Sequence, residues 1–196
     1  NFSIDKNKLI EKIYTLKQQP DSIPYVTSYY NEDWGFCMSE KNKKKLPSGK
    51  YSVFIDSELK RGSLDLSHAI VKGKSKKEIF FSSYLCHPSM ANNELSGPVV
   101  LNKLILFLKE RFKKLNYSYR FVLLPETIGS IAYLSKYKNH LKKNVICGYN
   151  LTCLGDNGNF SYIKSRNGNT LADSAIESSL KDYKKHKAYS YLHRAS

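Results

Sequence analysis

From residue 73 onward, strand-like apolar runs alternate with helix-like segments, and this rhythm constrains the fold more than any other feature of the chain. The strand-like runs at residues 78–86, 117–124 and 144–154 are almost continuously apolar. Such runs are typical of strands covered on both faces, and their alternation with helices is typical of parallel connections. The sequence therefore predicts an α/β fold, with a mainly parallel sheet and helices on both faces.

Three helices and one short strand complete this prediction. The helices are predicted at residues 97–114, 128–137 and 170–182, and the strand at residues 160–164. Pro98 stands in the first turn of the longest helix, where proline is favoured. We expect each helix to cover the sheet with its apolar side.

The first 72 residues have a different texture. Residues 1–22 show a helical period with Asp5 as a candidate N-cap, which predicts a first helix of the same α/β domain. Residues 23–72 contain short β-favouring runs between lysine-rich and turn-rich pieces, which predicts a small β-rich inserted domain. Residues 73–196 then form the α/β domain, and we expect the chain to be a fragment that is incomplete at its C-terminus.

Charge and composition narrow the classes of partner. The net charge of +15 comes from 32 Lys and Arg against 17 Asp and Glu, but the lysines are scattered and no recognition helix is visible. Nucleic acid is therefore not an expected partner. No run approaches the roughly 18 apolar residues of a membrane span, and no signal peptide is visible, so we expect no membrane span and a cytoplasmic location. The oligomeric state does not follow from the sequence.

The four cysteines carry no obvious pairing signal. They stand singly, without CxxC spacing, at Cys37, Cys86, Cys147 and Cys153. Three of them lie within apolar, strand-like runs. We interpret them as reduced core thiols.

Polar residues follow each of the predicted parallel strands. Residues 86–89 come after the first strand, residues 125–127 after the second and residues 155–157 after the third. Ligands of such sheets bind outside the carboxyl ends of the strands. A histidine, a glutamate and an aspartate are therefore predicted to meet at one rim.

The first of these loops, CHPSMANNELSG, carries His87, Asn93 and Glu94. A neutral imidazole is a ready zinc ligand or general base, although a lone histidine is more often a capped or core residue. Glu94 supplies a negative charge for a metal or, as a first-turn acid, only complements the helix dipole. Asn93 is a weak ligand because its amide oxygen is neutral.

The other two loops carry one acid each. Glu126 follows an apolar strand, so its carboxylate is predicted to lie at the edge of a partly apolar crevice, which suits a general base. The alternative is an acid that only serves the N-terminus of the next helix. Asp156 stands in a Gly-Asp-Asn-Gly stretch, so a plain turn aspartate is the stronger interpretation.

These loops resemble those of the M28 zinc aminopeptidases, in which a strand-end His, a DNxSG-type loop, a Glu-Glu pair and an NLDMxG-type strand build a two-zinc site. His87, residues 93–97, residues 125–126 and residues 150–155 correspond to these parts in turn. The stretches IPYVTSYYNEDWGFCMS, CHPSMANNELSGP and LPETIGSIAYL are still more similar to uncharacterised aminopeptidase-like relatives associated with surface-polysaccharide biosynthesis genes. The resemblance implies a zinc-aminopeptidase/phosphorylase-like fold.

The chain departs from the M28 pattern at the metal site. Asn93 stands in place of the carboxylate that bridges two zincs, Pro125 in place of one glutamate, and Thr152 in place of the second zinc's aspartate. Two adjacent dications need bridging negative charge, so the resemblance implies one zinc ion per intact chain and no two-zinc centre. The last histidine of the pattern is expected beyond Ser196, so this fragment is expected to hold an incomplete site or no metal.

The resemblance also assigns expected roles to residues. Glu126 is the predicted catalytic base. The predicted metal ligands are His87, Asn93 and Glu94. The predicted substrate contacts are Ser89, Thr127, Thr152 and Asp156.

Three functions are compatible with these residues. The first is a metal-dependent, aminopeptidase-like hydrolase that cleaves an amide bond of a small peptide or amino-sugar substrate. The second is a metal-poor pseudo-peptidase that binds a ligand or partner without hydrolysis, which the three substituted positions favour. The third, a binder of nucleic acid or anionic surfaces, rests only on the net charge of +15.

Overall fold

The structure is a computed structural model that describes residues 1–28, 31–87, 90–183 and 185–192. The chain divides into two compact units, Asn1–Gly62 and Ser63–Ser196. The three-part domain organisation expected from the sequence stays a prediction.

The first unit is built from short elements around a small core. They are β1 (Phe2–Asp5), α1 (Lys6–Glu11), β2 (Ile13–Tyr14), β3 (Phe36–Cys37), α2 (Glu40–Lys44) and β4 (Lys50–Val53). Strand β1 pairs antiparallel with β4, and β2 pairs in parallel with β3. The core consists of Leu9, Ile13 and Val53, with Trp34 and other partly buried side chains packed against it.

The first helix is shorter than the sequence predicts. Its periodic pattern runs past residue 11, but the backbone leaves the helix at Lys12 and enters β2. There Ile13 pairs with Phe36 and is buried. Tertiary strand pairing therefore overrides the local helical pattern, as it commonly does in short segments.

The second unit contains the larger sheet and three long helices. Its elements are β5 (Ser67–Val71), β6 (Glu78–Tyr84), a π-helical turn (Ala91–Leu95), α3 (Ser96–Arg111), β7 (Ser118–Leu124), α4 (Ile128–Asn144), β8 (Val145–Asn150), β9 (Phe160–Ile163), α5 (Leu171–Leu180) and β10 (His186–Tyr189). The four-stranded sheet has the order β5-β7-β6-β8, and β9 pairs in parallel with β10.

The prediction of an α/β fold is confirmed, but the sheet is mixed where a mainly parallel sheet was predicted. Strand β6 is parallel to both β7 and β8, whereas β5 is antiparallel to β7. Strands β5 and β6 are consecutive in the sequence, but in the sheet β7 lies between them. The apolar pattern of β5 predicts a strand but carries no information about its direction, so the sequence missed this antiparallel edge.

Helices cover both faces of this sheet. Successive side chains of a strand point to opposite faces, so Phe121 and Val122 lie on different sides. Phe121 packs with Leu101 and Leu108 of α3, and Val122 packs with Tyr133 of α4. The carboxyl ends of β6, β7 and β8 are thereby supported from both sides. In the described part of the chain, no helix combines the length and apolarity needed to cross a bilayer.

A buried ion pair stabilises the amino end of β6. Arg120 donates to both carboxylate oxygens of Glu78, at 2.7 and 3.0 Å, and both side chains are almost fully buried. The same carboxylate contacts His140 Nε2 at 2.9 Å, and Arg120 also donates to the hydroxyl of Tyr133 at 3.1 Å. Burial by itself raises the pKa of Glu78, but the hydrogen bonds from Arg120 and His140 hold that pKa below its ordinary value of 4.5.

Removing one partner of this pair should destabilise the second unit strongly. In Glu78→Gln the guanidinium of Arg120 stays buried without its counter-charge, so we expect a loss of about 3–5 kcal/mol in the free energy of unfolding. Urea unfolding measures the loss. The matched control is Glu177→Gln, which breaks the more exposed pair with Lys164 and should have a much smaller effect because solvent screens that pair. Equal losses in the two variants would contradict the structural role of Glu78.

The same pair predicts a pH dependence of stability. Because the pKa of Glu78 is lowered on folding, its contribution is complete above the unfolded pKa and is lost as the pH falls through the folded value. The difference in unfolding free energy between the natural chain and Glu78→Gln should therefore be constant above about pH 5 and shrink on further acidification. A difference that grows in acid would be inconsistent with the lowered pKa.

Candidate functional site

Three loops meet at the carboxyl end of the sheet, as the sequence predicted. Cys86, after β6, accepts a hydrogen bond on its Sγ from the backbone N–H of Glu126, after β7, at 3.4 Å. Asn93 donates from Nδ2 to Cys153 Sγ, after β8, at 3.7 Å. Hydrogen bonds to sulfur are longer than those to oxygen, so both distances are ordinary for this acceptor. The loops after β6, β7 and β8 are thus connected by direct side-chain contacts.

The centre of this rim is a buried carboxylate that holds a histidine. Glu94 Oε1 lies 2.6 Å from His87 Nδ1, and Glu94 Oε2 accepts the backbone N–H of Cys86 at 2.6 Å. The residue Glu94 is only 4% exposed, whereas the side chain of His87 is 40% exposed. Both carboxylate oxygens are therefore engaged, and the imidazole is fixed by one nitrogen while its other edge faces outward.

Glu94 is ionised despite its burial. Desolvation by burial raises the pKa of Glu94, but the hydrogen bonds from the N–H of Cys86 and from the ring of His87 outweigh it and lower the pKa below the ordinary value. A fixed negative charge therefore lies behind the histidine. This arrangement keeps an imidazole in one orientation, which is what a metal ligand or a proton carrier requires.

The local backbone places Glu94 against the strand. The chain widens into a π-helical turn at Ala91–Leu95, and such turns are frequent at functional sites. Helix α3 then begins at Ser96, and Gly97 in its first turn lies beside the sheet. A Cβ atom added at Gly97 would lie 2.2 Å from Ser83 Oγ and 2.4 Å from the carbonyl oxygen of Leu151, so only glycine permits this approach.

The loop after β8 is held to the same turn. The amide oxygen of Asn92 accepts the N–H of Gly155 at 2.7 Å, and its Nδ2 donates to Asp156 at 3.3 Å. Ser96 accepts the N–H of Leu154 at 2.8 Å and donates to the carbonyl of Asn92. Ser96 therefore joins two loops and does not cap α3.

Glu126 stands on a strained turn. The N–H of Ile128 bonds the carbonyl of Glu126 at 2.6 Å, and the residue between them, Thr127, has φ 54° and ψ −73°. This is a γ-turn of the rare strained form, and positive φ is unfavourable for a β-branched residue. Glu126 is exposed at the rim. The sequence predicted its carboxylate at the edge of a partly apolar crevice. Backbone strain of this kind is concentrated at functional sites.

The other residues predicted to bind metal or substrate have hydrogen-bond environments of their own. Asn93 Oδ1 is buried and has no hydrogen-bond partner among the described residues. Thr152 shares a hydrogen bond with the hydroxyl of Tyr84. Asp156 accepts the N–H of Gly158 at 2.7 Å, which agrees with the turn aspartate that was the stronger interpretation of the sequence. Ser89 lies outside the described residues.

Comparison with known proteins shows the family to which this chain belongs. Residues 12–196 match the family described as "Domain of unknown function (DUF4910)". The chain belongs to this family. Its recognition as a relative of aminopeptidase-like proteins is confirmed by a protein of Clostridium acetobutylicum named "Putative polysaccharide biosynthesis protein with aminopeptidase-like domain". The two are 41% identical over 167 residues, which are 84% of this chain and 37% of that protein.

A solved structure supports the same relationship. The chain superimposes on a crystal structure of a "putative peptidase" from Clostridium acetobutylicum with a TM-score of 0.80 and 35% sequence identity. The match covers 97% of this chain and 44% of the other. The chain therefore spans less than half the length of either relative.

Sequence reasoning missed Cys86. It was interpreted as a core thiol, but Cys37, Cys86 and Cys153 are exposed residues and Cys147 is only partly buried, all of them free thiols. Cys86 contacts His87, Glu94 and Glu126. Its position directly before His87, at the end of a predicted strand, was a sequence signal that indicated a place at the rim.

The residues at this rim fit a single metal ion. An imidazole and an ionised carboxylate are zinc ligands, and the unpartnered oxygen of Asn93 is a further neutral donor. Carboxylates for a second ion are lacking at Asn93, Pro125 and Thr152. The donor set thus agrees with one ion better than with two.

Adding one methyl group at Gly97 should disrupt this site. In Gly97→Ala the new Cβ meets a backbone carbonyl that cannot move independently, so helix α3 and the turn that carries Glu94 must shift. We expect a loss of about 1–3 kcal/mol in the free energy of unfolding, measured with urea. The control is Gly62→Ala, where nothing lies within 4 Å of the added atom. Unchanged stability in Gly97→Ala would contradict the close approach.

Proposed function

We propose that this chain carries the active-site rim of a metal-dependent, aminopeptidase-like hydrolase. It cleaves an amide bond of a small peptide or an amino sugar, in the biosynthesis of surface polysaccharide. The observation that carries the proposal is the buried Glu94, which holds His87 at the carboxyl end of β6. The names of the two relatives, an aminopeptidase-like protein and a peptidase, support the same reaction class.

His87 and Glu94 would hold the metal, and zinc is the ion that suits an imidazole and a carboxylate together. When bound, such an ion supplies Lewis acidity that polarises a substrate carbonyl and makes water more acidic. Asn93 offers a neutral oxygen on the same turn. Because Asn93 brings no charge, Glu94 is the main source of negative charge for the ion.

Glu126 acts as the general base in this proposal. Its exposed carboxylate takes a proton from the attacking water and returns it to the amine that leaves. The γ-turn at Thr127 fixes the backbone on which Glu126 stands, and the hydrogen bond to Cys86 fixes it relative to the loop of His87. Ser89, Thr127, Thr152 and Asp156 contact the substrate.

A second function is favoured by one specific observation. The oxygen of Asn93 is buried without a partner among the described residues, at the position where the M28 pattern has its bridging carboxylate. A pseudo-peptidase that binds a ligand at this rim without hydrolysis would tolerate that neutral amide. Metal content and turnover separate the two functions.

Metal analysis of the natural full-length protein, purified without chelator or added zinc, is the first test. We expect about one zinc ion per chain, lost in His87→Ala because the ring supplies a direct ligand. The matched control is His186→Ala, which removes an exposed histidine of β10 and should leave the metal content unchanged. Absence of metal from the unaltered protein would contradict the hydrolase and favour the pseudo-peptidase.

The role of Glu126 is tested separately. Glu126→Gln should retain zinc but lower turnover of aminoacyl p-nitroanilides or amino-sugar amides by a factor of about 10²–10⁴, because the proton acceptor is removed. Glu110→Gln, an exposed acid on α3, is the control and should keep full turnover. Turnover that survives in Glu126→Gln would exclude Glu126 as the base.

A further inference from the structure

We propose that the thiolate of Cys86 is a third protein ligand, so that the metal centre is a mononuclear Cys86–His87–Glu94 site. This inference rests on the proposed function, because it assumes that the ion binds at this rim. It adds a sulfur ligand that the resemblance to zinc aminopeptidases does not imply. It also assigns a role to Cys86, whose sulfur contacts the carboxylate of Glu94 and the backbone N–H of Glu126.

The three donor atoms already form a suitable triangle. His87 Nδ1 lies 2.6 Å from Glu94 Oε1 and 3.4 Å from Cys86 Sγ, and that sulfur lies 3.9 Å from Glu94 Oε1. In the described chain, this is the group of histidine, cysteine and acidic side chains whose ligand atoms all lie within 4.8 Å of one another. The three distances give a circumradius of about 2.0 Å, close to zinc–ligand bond lengths of about 2.0–2.3 Å.

Little rearrangement is needed to complete the site. Two ligands of a tetrahedral zinc ion lie about 3.3 Å apart, so the contact between His87 and Glu94 must open from 2.6 Å. The ion then takes the place of the proton between Nδ1 and Oε1, and the neutral ring of His87 carries its proton on Nε2. Glu94 Oε2 stays hydrogen-bonded to the N–H of Cys86 while Oε1 faces the ion. That outer hydrogen bond orients the ligating carboxylate, as is usual around protein-bound metals.

Charge balance favours the set of Cys86, His87 and Glu94 over the set implied by the resemblance, in which Asn93 stands in place of Cys86. A thiolate and a carboxylate together neutralise the two charges of a zinc ion, without a bridging carboxylate at residue 93. Three protein ligands leave a fourth position for water, which is the pattern of catalytic zinc sites. A soft sulfur ligand also selects zinc over magnesium and calcium.

Metal binding must remove the proton of Cys86. Burial raises the pKa of the thiol, with the charges of Glu94 and Glu126 adding to the increase against a smaller lowering by the N–H of Glu126. A cysteine binds zinc as the thiolate, so a bound dication displaces the thiol proton to solvent. The N–H of Glu126 then donates to the ligating sulfur and places the proposed base directly beside the centre.

Cobalt substitution tests the sulfur ligand without an activity assay. The full-length protein, stripped of metal, is titrated with Co²⁺ and followed by absorption. We expect one bound ion with a near-ultraviolet thiolate-to-cobalt charge-transfer band. The band should disappear in Cys86→Ser and remain in Cys37→Ser, the control in the first unit, and in Cys153→Ser, which removes the other thiol at the rim. Zinc affinity should fall by at least about 100-fold in Cys86→Ser.

The outcomes separate the two levels of the proposal. Cobalt bound without the band, or a band that persists in Cys86→Ser, overturns the sulfur ligand but leaves the proposed hydrolase intact. No cobalt binding at all overturns both. Protection of Cys86 from iodoacetamide by Zn²⁺ in the unaltered protein, measured by mass spectrometry, supports the sulfur ligand even if the serine variant folds poorly. Alkylation of Cys86 at an unchanged rate in the zinc-loaded protein argues against it.

Discussion

The candidate site depends on one buried carboxylate. A carboxylate removed from water is stable only when hydrogen bonds replace the solvent, and Glu94 receives them from the N–H of Cys86 and from His87. Those partners lie at the end of β6, while Glu94 arrives from the turn before α3. The two segments meet because Gly97 lets the helix approach the sheet. The rim is thus built by packing first, and its chemistry follows from that packing.

A second buried carboxylate at the other end of β6 shows what distinguishes a site from a structural ion pair. Glu78 is held by Arg120, a permanently charged group whose donors are directed at the carboxylate and at Tyr133. That pair has no ligand atom left for a metal. Glu94 is instead held by a backbone N–H on Oε2 and by an imidazole on Oε1, and the imidazole is itself a metal ligand that can share an ion with that oxygen. The same strand therefore carries a structural acid at its beginning and a chemically available acid beyond its end.

The sequence predicted the regular part of the second unit well. The strands that became β6 and β7, the helix that became α3, and the meeting of three loops at one rim all follow from continuous apolar runs and from the geometry of parallel sheets. It did not predict the antiparallel β5, because direction is decided by neighbours distant in the chain. Strand β10, a four-residue strand that pairs in parallel with β9, was not predicted either.

Within the site, sequence reasoning found His87, Glu94 and Glu126 but not how they are connected. The pairing of His87 with Glu94 needs the π-helical turn, which has no simple sequence signature. The contacts of Cys86 were hidden because a cysteine at the end of an apolar run is usually a core residue. Strand ends could therefore be read from one-dimensional patterns, whereas hydrogen-bond partners required the three-dimensional course of the loops.

Backbone strain gives an independent reason to regard this rim as functional. Among the described residues, the non-glycine residues with positive φ are Thr127 and Cys153, at 54° and 51°. Each such conformation costs about 1–3 kcal/mol and persists only where surrounding contacts enforce it. One lies directly after Glu126, and the other contacts Asn93. Two strained residues in loops at the same rim would be an unnecessary cost for a scaffold alone, whereas a site that must present Glu126 and the loop after β8 at fixed positions explains both.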